Sequence, residues 1–383
     1  MSLLQVLVSQ RPTAAVVAGL PVAVRQAFRA AKELAPCRLV VLTTDARFAE
    51  RWKTQLSAPG VELRVGLFSD AALLDPHAPL LALDPEGFPD AGFLSAFRAA
   101  AEDLRAANGG DARRLDGGRP VAALLRRAGD AGAGKAMPAD ALMKALQAPL
   151  PEVAAARWFV ADTPAAAAAA ARELYSRLGN PKDGYLARFD RALSVRLSRL
   201  MLPFPVTPNA VTTASLLVGL WGAWKLAGPT TADHFIGAFL LWVCALLDGC
   251  DGEIARLKHL SSPSGAAYDI WADHVAHLAT FVALPFGVAR VHPGTDWTVP
   301  GVLLVSGFLA CGYTVWKLVL SVPDEERGPL ALTVERIASR DYVYLLLVLT
   351  ALGRLDWFVW AAAYGSHAFW LWLWWQSNRL TKT

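Results

Sequence analysis

Cysteine is scarce in this chain of 383 residues: Cys37, Cys244, Cys250 and Cys311 are the whole complement. No CxxC spacing occurs and three of the four lie in apolar runs, which excludes a disulfide framework or a thiolate zinc site and points to a reducing face. An excess of either charge is also lacking, since 37 Lys and Arg stand against 33 Asp and Glu for a net +4. So mild a balance gives no basis for nucleic acid as a partner, and none is expected. Residues 1–30 lack the basic start and long apolar core of a signal peptide. What the chain has instead is apolar mass: 54% hydrophobic residues, 14 Trp and a mean hydropathy of +0.33, yet 18% charged residues. That mixture predicts a soluble part joined to a membrane part, and two domains fit the length.

The densest chemistry lies in LLDGCDGEIARLKHLSSPSGAAYDIWADH, within the apolar C-terminal half. On helices, Asp248 and Asp251 are i,i+3 neighbours and Asp269 and Asp273 are i,i+4 neighbours, so each pair shares a face. A carboxylate in a membrane helix costs roughly 2.5–3.5 kcal/mol on insertion scales. Isolated acids at helix ends act as interfacial caps, which accounts for one or two of these but not for same-face pairing, Gly252, Gly265 and Arg256 together. Hard divalent cations such as Mg²⁺ or Mn²⁺ prefer oxygen ligands, with phosphate groups completing their shells. Asp248, Asp251 and Asp269 are the leading metal-ligand candidates, in a phosphoryl-transfer site at a membrane surface.

The spacing resembles the signature of the CDP-alcohol phosphotransferase family, D-x-x-D-G-x-x-A-R-x8-G-x-x-x-D-x-x-x-D. Asp248, Asp251, Gly252, Ala255, Arg256, Gly265, Asp269 and Asp273 fill it without a gap. The resemblance, which covers roughly the last half of the chain, implies an all-α bundle of six membrane helices. It also implies a two-ion metal site, an active site open to the cytosol and a homodimer. Family members displace CMP from a CDP-alcohol by the hydroxyl of a second alcohol. By the same resemblance Asp273 is the general base that takes the acceptor proton while also touching a metal. Gly252 then gives a helix surface without a side chain for the nucleotide, Arg256 a planar fork for a phosphate, and Gly265 room for cytidine. A Pro-Asn-x-x-Thr start at Pro208 is similar to the family's, which makes Asn209 and Thr212 nucleotide contacts.

The N-terminal part alternates strands and helices. Ala14–Ala18 reads as a short strand ending at Gly19, Val22–Leu34 as a helix, Arg38–Thr43 as a strand, Ala46–Leu56 as a helix and Val61–Leu67 as a strand. Leu80–Leu83 reads as a further strand before Asp84 and a helix around Phe93–Arg105, while residues 107–134, rich in Gly, Asp, Arg and Ala, read as loop. Such alternation predicts an α/β domain with a mostly parallel sheet. The order of elements and the segment WFVADTPAAAAAAARELYSRLG resemble a sugar-nucleotide cytidylyltransferase, a nucleotidyltransferase-like domain that in related fusions makes a CDP-linked inositol. A phosphate cradle needs closely spaced backbone N–H groups and a positive charge. Here AGLPVAVRQAF offers only Gly19 and Arg25, so residues 1–180 are expected to form a degenerate domain without cytidylyl transfer. Asp84 and Asp162 read as remnant metal ligands or as solvated loop acids.

Residues 181–205 link the parts. In YLARFDRALSVRLSRLMLP, Leu186, Phe189, Leu193, Leu197 and Leu200 recur at helical spacing while Arg188, Arg191, Arg196 and Arg199 crowd the other faces. This is the pattern of an interfacial amphipathic helix on membrane lipid, or of a domain-packing helix. Residues 206–383 hold six apolar segments: Val211–Ala227, Phe235–Leu247 continuing through Arg256, Ala266–Val288, Val299–Val322, Tyr342–Leu352 and Trp357–Trp375. Arg256, Lys258, Arg327, Arg336, Arg340, Arg379 and Lys382 fall on one side, which by the positive-inside rule predicts a multi-pass protein of the cell (inner) membrane with cytosolic termini.

Arg336 and Arg340, i,i+4 at the start of the fifth segment, read either as an anion pocket for a phosphorylated acceptor or as positive-inside charges. His274 and His277 read as packing or interfacial residues beside Asp273. The expected reactants are a CDP-alcohol donor, of CDP-diacylglycerol or CDP-inositol type, and an alcohol or phospho-alcohol acceptor, in phospholipid or inositol phosphodiester synthesis. Two other functions compete: a membrane divalent-cation transporter, and a catalytically inactive anchor for a partner-binding domain.

Overall fold

The computed structural model describes residues 4–10, 16–43, 60–67, 80–83, 87–89, 94–95, 112–116, 119–125, 158–179, 185–317 and 342–380. They fall into two compact units, Met1–Leu178 with Leu257–His259 and Gly179–Arg256 with Leu260–Thr383. Outside the described residues lie the helix at Ala46–Leu56, Asp84, nearly all of Phe93–Arg105, the end of the Val299–Val322 segment, and Arg327, Arg336, Arg340 and Lys382.

The first unit is built on β1 (Gln5–Gln10), β4 (Cys37–Thr43), β5 (Val61–Leu67), β6 (Leu80–Leu83), β8 (Ala112–Asp116) and β9 (Arg119–Leu125). They form one sheet in the order β5-β4-β1-β6-β9-β8. Pairings from β5 to β6 are parallel and those of β9 antiparallel, so the mostly parallel sheet is present with an antiparallel edge. Helix α1 (Val22–Leu34) lays Ala23, Val24, Ala27, Ala30 and Leu34 over Val6, Val8, Leu39, Val41, Leu81 and Leu83. Leu7, Val40, Leu42, Leu80 and Ala82, which alternate with those, are buried as well. Strands covered on both faces lose the polar alternation that marks a half-exposed strand.

That loss explains one correction. The first strand of the sheet is β1, not Ala14–Ala18, which contributes only β2 (Val16–Val17) to a small hairpin with β3 (Leu20–Pro21). The second correction concerns residues 107–134, which contain the paired strands β8 and β9 rather than loop alone. Asp116, Gly117, Gly118 and Arg119 between two β-forming runs are a hairpin signal that the bulk composition obscured. Strands β7 (Gly87–Pro89) and β10 (Trp158–Val160) pair separately. Helix α2 (Pro164–Ser176) then starts on Thr163, whose Oγ1 accepts from Ala166 N at 3.1 Å. Asp162, just before that cap, is exposed.

The hairpin also shows what Gly19 and Arg25 do. Ala18 and Gly19, at φ 46° and 78°, form the two-residue turn between β2 and β3. Arg25 is buried, and its Nε donates to Val17 O at 2.9 Å while its Nη2 donates to Val17 O at 2.7 Å and Ala18 O at 3.1 Å. Burial lowers its pKa to about 9. The two candidate remnants of a phosphate cradle are a turn and its clamp.

The second unit is helical among the described residues: α3 (Tyr185–Met201), α4 (Pro208–Leu226), α5 (Thr231–Leu257), α6 (Pro263–Val291), α7 (Thr298–Val315), α8 (Tyr342–Ala351) and α9 (Leu355–Leu380). Of these, α5, α6 and α7 are long and apolar enough to cross a membrane, and α8 is a shorter apolar helix. Large apolar side chains such as Trp221, Trp224, Phe286, Leu309, Trp357 and Trp374 stay exposed, as a lipid-facing surface requires. The interior is Leu226, Leu241, Leu284, Leu304, Leu346, Phe358 and Val359 with their neighbours. Close packing of α4 on α6 rests on Gly287: a Cβ there would lie 1.9 Å from Leu226 O. Helix α3 packs through Ser194, Val195 and Ser198, leaving Leu186, Phe189 and Leu200 exposed, so the apolar stripe is not its packing face.

Replacing Arg25 by Met would leave the Val17 and Ala18 carbonyls buried without donors. A loss of about 2 kcal/mol is expected, read as roughly thirty-fold faster native-state hydrogen exchange across Val16–Val24. Unchanged protection would refute the clamp.

Candidate active site

The motif straddles the end of α5 and the start of α6. Helix α6 begins on Ser262, whose Oγ accepts from Gly265 N at 3.0 Å, with Pro263 in the first turn. Helix α4 begins in the same way, Thr207 Oγ1 accepting from Ala210 N at 3.3 Å ahead of Pro208. Proline suits a first turn because its missing N–H has no helical partner there. Thr207, Pro208, Ser262 and Pro263 thus fix where both helices start.

Asp248, Asp251 and Asp269 converge, each offering an oxygen within 4.8 Å of those of the other two. Like charges about 4 Å apart repel by about 4 kcal/mol at an effective dielectric of ~20, a large part of a domain's usual stability. A donor set made only of carboxylate oxygens fits a hard divalent cation, which would relieve that repulsion. Asp251 is 4% exposed, and Thr212 Oγ1 donates to its Oδ2 at 2.5 Å. Thr212, expected as a nucleotide contact, holds the carboxylate of Asp251 in place. Asp273 lies one turn further along α6 and outside the three-carboxylate cluster. Its Oδ1 is 3.8 Å from His277 Nε2.

A cavity of 170 Å³ opens against this cluster. Asp251 and Asp269 line it together with Asn209, Thr212, Gly252, Ala255, Arg256 and Gly265. Residues 56 positions apart thus meet at one wall. The two glycines differ in purpose. A Cβ at Gly252 would meet nothing nearer than Arg256 Nη1 at 3.5 Å, ordinary contact, so packing does not demand glycine and its bareness serves the cavity. A Cβ at Gly265 would stand 2.9 Å from Ser262 Oγ, so glycine there also protects the helix cap.

The histidines make local contacts of their own. His274 Nδ1 lies 2.7 Å from Ile270 O, and His277 meets Tyr342 and Phe308 edge-on. Glu253, inside the motif but not read from the sequence, is wholly buried. Ser194 Oγ donates to it at 2.6 Å, Ser198 Oγ at 2.7 Å and Arg191 Nη1 at 3.2 Å. A third acid in nine residues of α5, together with serines at i,i+4 in a basic helix, was the available signal. Glu253 couples α3 to the turn that carries Asp251 and Gly252.

Acids gathered at two helix ends in an apolar bundle, beside an arginine and a bare glycine surface, fit the class of membrane proteins that carry a hard-cation donor set next to an anion-binding wall. Comparison with known proteins narrows that class. Residues 205–372 match the CDP-alcohol phosphatidyltransferase family model, so this part of the chain is similar to that family. The bifunctional IPC transferase and DIPP synthase of Rubrobacter xylanophilus is 31% identical over 222 residues, 57% of this chain and 45% of that one. The protein of the same name from Aquifex aeolicus is 31% identical over 215 residues, 55% of this chain and 48% of that one. The chain thus spans about half the length of these curated relatives. The solved Mycobacterium tuberculosis phosphatidylinositol phosphate synthase with CDP-DAG bound shares 21% identity at a TM-score of 0.33, covering 47% of this chain and 90% of that one.

Thr212→Val should weaken Mn²⁺ binding by about 10–100-fold, the usual effect of losing a partner that orients a ligand. Titration of the purified protein with Mn²⁺ alone, followed by electron paramagnetic resonance, reads this without turnover. Unaltered affinity would detach Thr212 from the acid cluster.

Proposed function

We propose that this protein is a divalent-metal-dependent CDP-alcohol phosphotransferase. It moves a phospho-alcohol group from a CDP-alcohol to the hydroxyl of a second alcohol, with release of CMP. One observation carries the reading: Asp251 and Asp269 of the converging triad share a cavity with Asn209, Gly252, Ala255, Arg256 and Gly265. A cation path through the membrane has no need of the bare glycine surface and the arginine at that wall.

Asp248, Asp251 and Asp269 would hold Mg²⁺ or Mn²⁺, and such ions supply positive charge that binds a pyrophosphate and stabilises the departing CMP. Arg256 pairs with a phosphate through its fork, which lysine cannot reproduce. Gly252 lets the nucleotide lie against the helix backbone. Asp273 accepts the proton of the acceptor hydroxyl, whose oxygen bonds to the phosphorus bearing the donor alcohol. The bond from that phosphorus to the CMP oxygen breaks, and CMP leaves with the electron pair. The basic residues flanking the apolar segments support a cytosolic site, with the exposed stripe of α3 lying on the lipid surface of that side. The engagement of Arg25 by its own hairpin supports a sheet unit that performs no cytidylyl transfer. The transferase-and-synthase name of the relatives fits a layout that once carried two activities.

Asp248→Asn, Asp251→Asn and Asp269→Asn should each abolish CMP release, and excess chelator should do the same to the unaltered protein. Full turnover in chelator would refute the metal assignment. Gly252→Ala should keep the thermal stability within about 1 kcal/mol, since no protein atom opposes the added methyl, while the KM for the CDP-alcohol rises at least about tenfold (about 1.4 kcal/mol). Asp273→Asn should leave donor affinity within about tenfold and lower single-turnover CMP release by roughly 10²–10⁴, the usual contribution of general base catalysis. Loss of donor binding in that variant would make Asp273 a ligand instead.

A further inference from the structure

Leu257, Lys258 and His259 belong to the sheet unit, whereas Arg256 before them and Leu260 after them belong to the helical unit. Leu257 and Lys258 are buried. Leu260 N donates to Ala255 O at 2.9 Å, the six-to-one bond of a Schellman turn at the end of a helix. The left-handed position of that turn, where glycine is usual, is held by His259 at φ 54°. A residue with a Cβ is disfavoured there. Such a conformation persists where the surrounding structure over-determines it.

Helix α1 supplies part of those surroundings. Arg25, Phe28, Arg29 and Lys32 fall at i, i+3, i+4 and i+7, on one face of that helix. The Phe28 ring stacks on the His259 ring, with centroids 5.3 Å apart and planes 20° from parallel. Burial, and then the charges of Arg25, Arg29 and Lys32, push the pKa of His259 down to about 3. The ring is therefore neutral near pH 7 and meets Phe28 as one uncharged aromatic face on another. Phe28 is itself braced, since it packs partly buried against the core of the sheet. The turn lies between two stretches of the first cavity's wall: Ala255 and Arg256 ahead of it, and Leu260, Ser261 and Ser262 behind.

We propose that Phe28 is a positioning residue for the transfer: its ring holds the left-handed turn at His259, and the turn sets where Arg256 stands in the cavity wall. This rests on the transferase reading above. A guanidinium that grips phosphate through two parallel hydrogen bonds needs a fixed backbone behind it, because both bonds depend on the plane of the group. Ser262, which caps α6, follows His259 by three residues and is set by the same turn. Phe28 acts through the backbone and touches no reactant.

The test uses the full-length protein in lipid nanodiscs with Mn²⁺. CDP-diacylglycerol or CDP-inositol is the donor, and myo-inositol 1-phosphate or sn-glycerol 3-phosphate the acceptor. Phe28→Leu keeps an apolar side chain against the sheet core but removes the stacking ring. It should raise the donor KM at least about fivefold with kcat within about twofold, the mark of lost ground-state binding. Phe28→Tyr, which keeps the ring, should stay within about twofold of the unaltered protein on both. Glycine adopts positive φ without help, so adding His259→Gly to Phe28→Leu should return the donor KM to within about twofold. Hydrogen exchange at the Leu260 amide follows the turn without turnover: it should be at least about fivefold faster in Phe28→Leu and recover in the double variant. A KM rise that His259→Gly does not relieve would mark general damage to the sheet unit and overturn the assignment. Unchanged exchange at Leu260 in Phe28→Leu would overturn it as well. Should no donor and acceptor pair release CMP, the transferase reading fails. The Leu260 exchange rates then decide separately whether Phe28 holds the turn.

Discussion

Repulsion among Asp248, Asp251 and Asp269 is the constraint on which the helical unit depends. Each would separate from the others if the backbone allowed, and the bundle does not allow it. Both capped starts, at Thr207 and Ser262, set the axial positions of α4 and α6, and Gly287 lets those helices meet at backbone distance. Thr212, reaching from α4 to Asp251, then ties the third helix of the cluster to the acids of α5. A site made of like charges is only as well defined as the scaffold that opposes their separation, and here that scaffold is short-range and steric.

Glu253 contributes a restraint of another kind. A buried carboxylate needs hydrogen-bond partners, and Ser194, Ser198 and Arg191, which supply them, all come from α3. The amphipathic helix therefore cannot rotate about its own axis without stranding a charge two residues from Asp251, a change that costs several kcal/mol when a buried ion loses its partner. The outward stripe of Leu186, Phe189 and Leu200 is fixed as a result of that inward grip. Polarity inside α3 decides the direction in which its apolar face points.

Much of this was legible in the sequence, for identifiable reasons. The eight motif positions carry their own spacing, and helical periodicity is enough to pair Asp248 with Asp251 and Asp269 with Asp273 on shared faces, whereas the meeting of Asp269 with the first pair is a contact between two helices that periodicity does not give. The capped start of α4 was legible in outline as a Pro-Asn segment, while that of α6 lies at Pro263, ahead of the apolar segment read from Ala266. What stayed hidden was hidden by burial. Strand β1 has apolar residues on both faces, so no alternation announced it, and the β8–β9 pair was masked by glycine and charge. Glu253 looked like a variable position inside the motif because its partners lie more than fifty residues away. Arg25 looked like a remnant of a phosphate cradle because a sequence shows a charge but not the two carbonyls that claim it.

The two capped starts have an electrical consequence. Pro208 and Asn209 at the head of α4 and Ser262 and Gly265 at the head of α6 line the same cavity, so two helix N-termini open onto one space. Each contributes a macrodipole equivalent to about half a positive elementary charge at its start, and backbone amides are suited to anions. Together they supply on the order of one positive charge beside Arg256, from groups that neither titrate nor change rotamer. An anion entering the cavity is met by a field set when the chain folds, and that field does not vary with the pH of the surrounding medium.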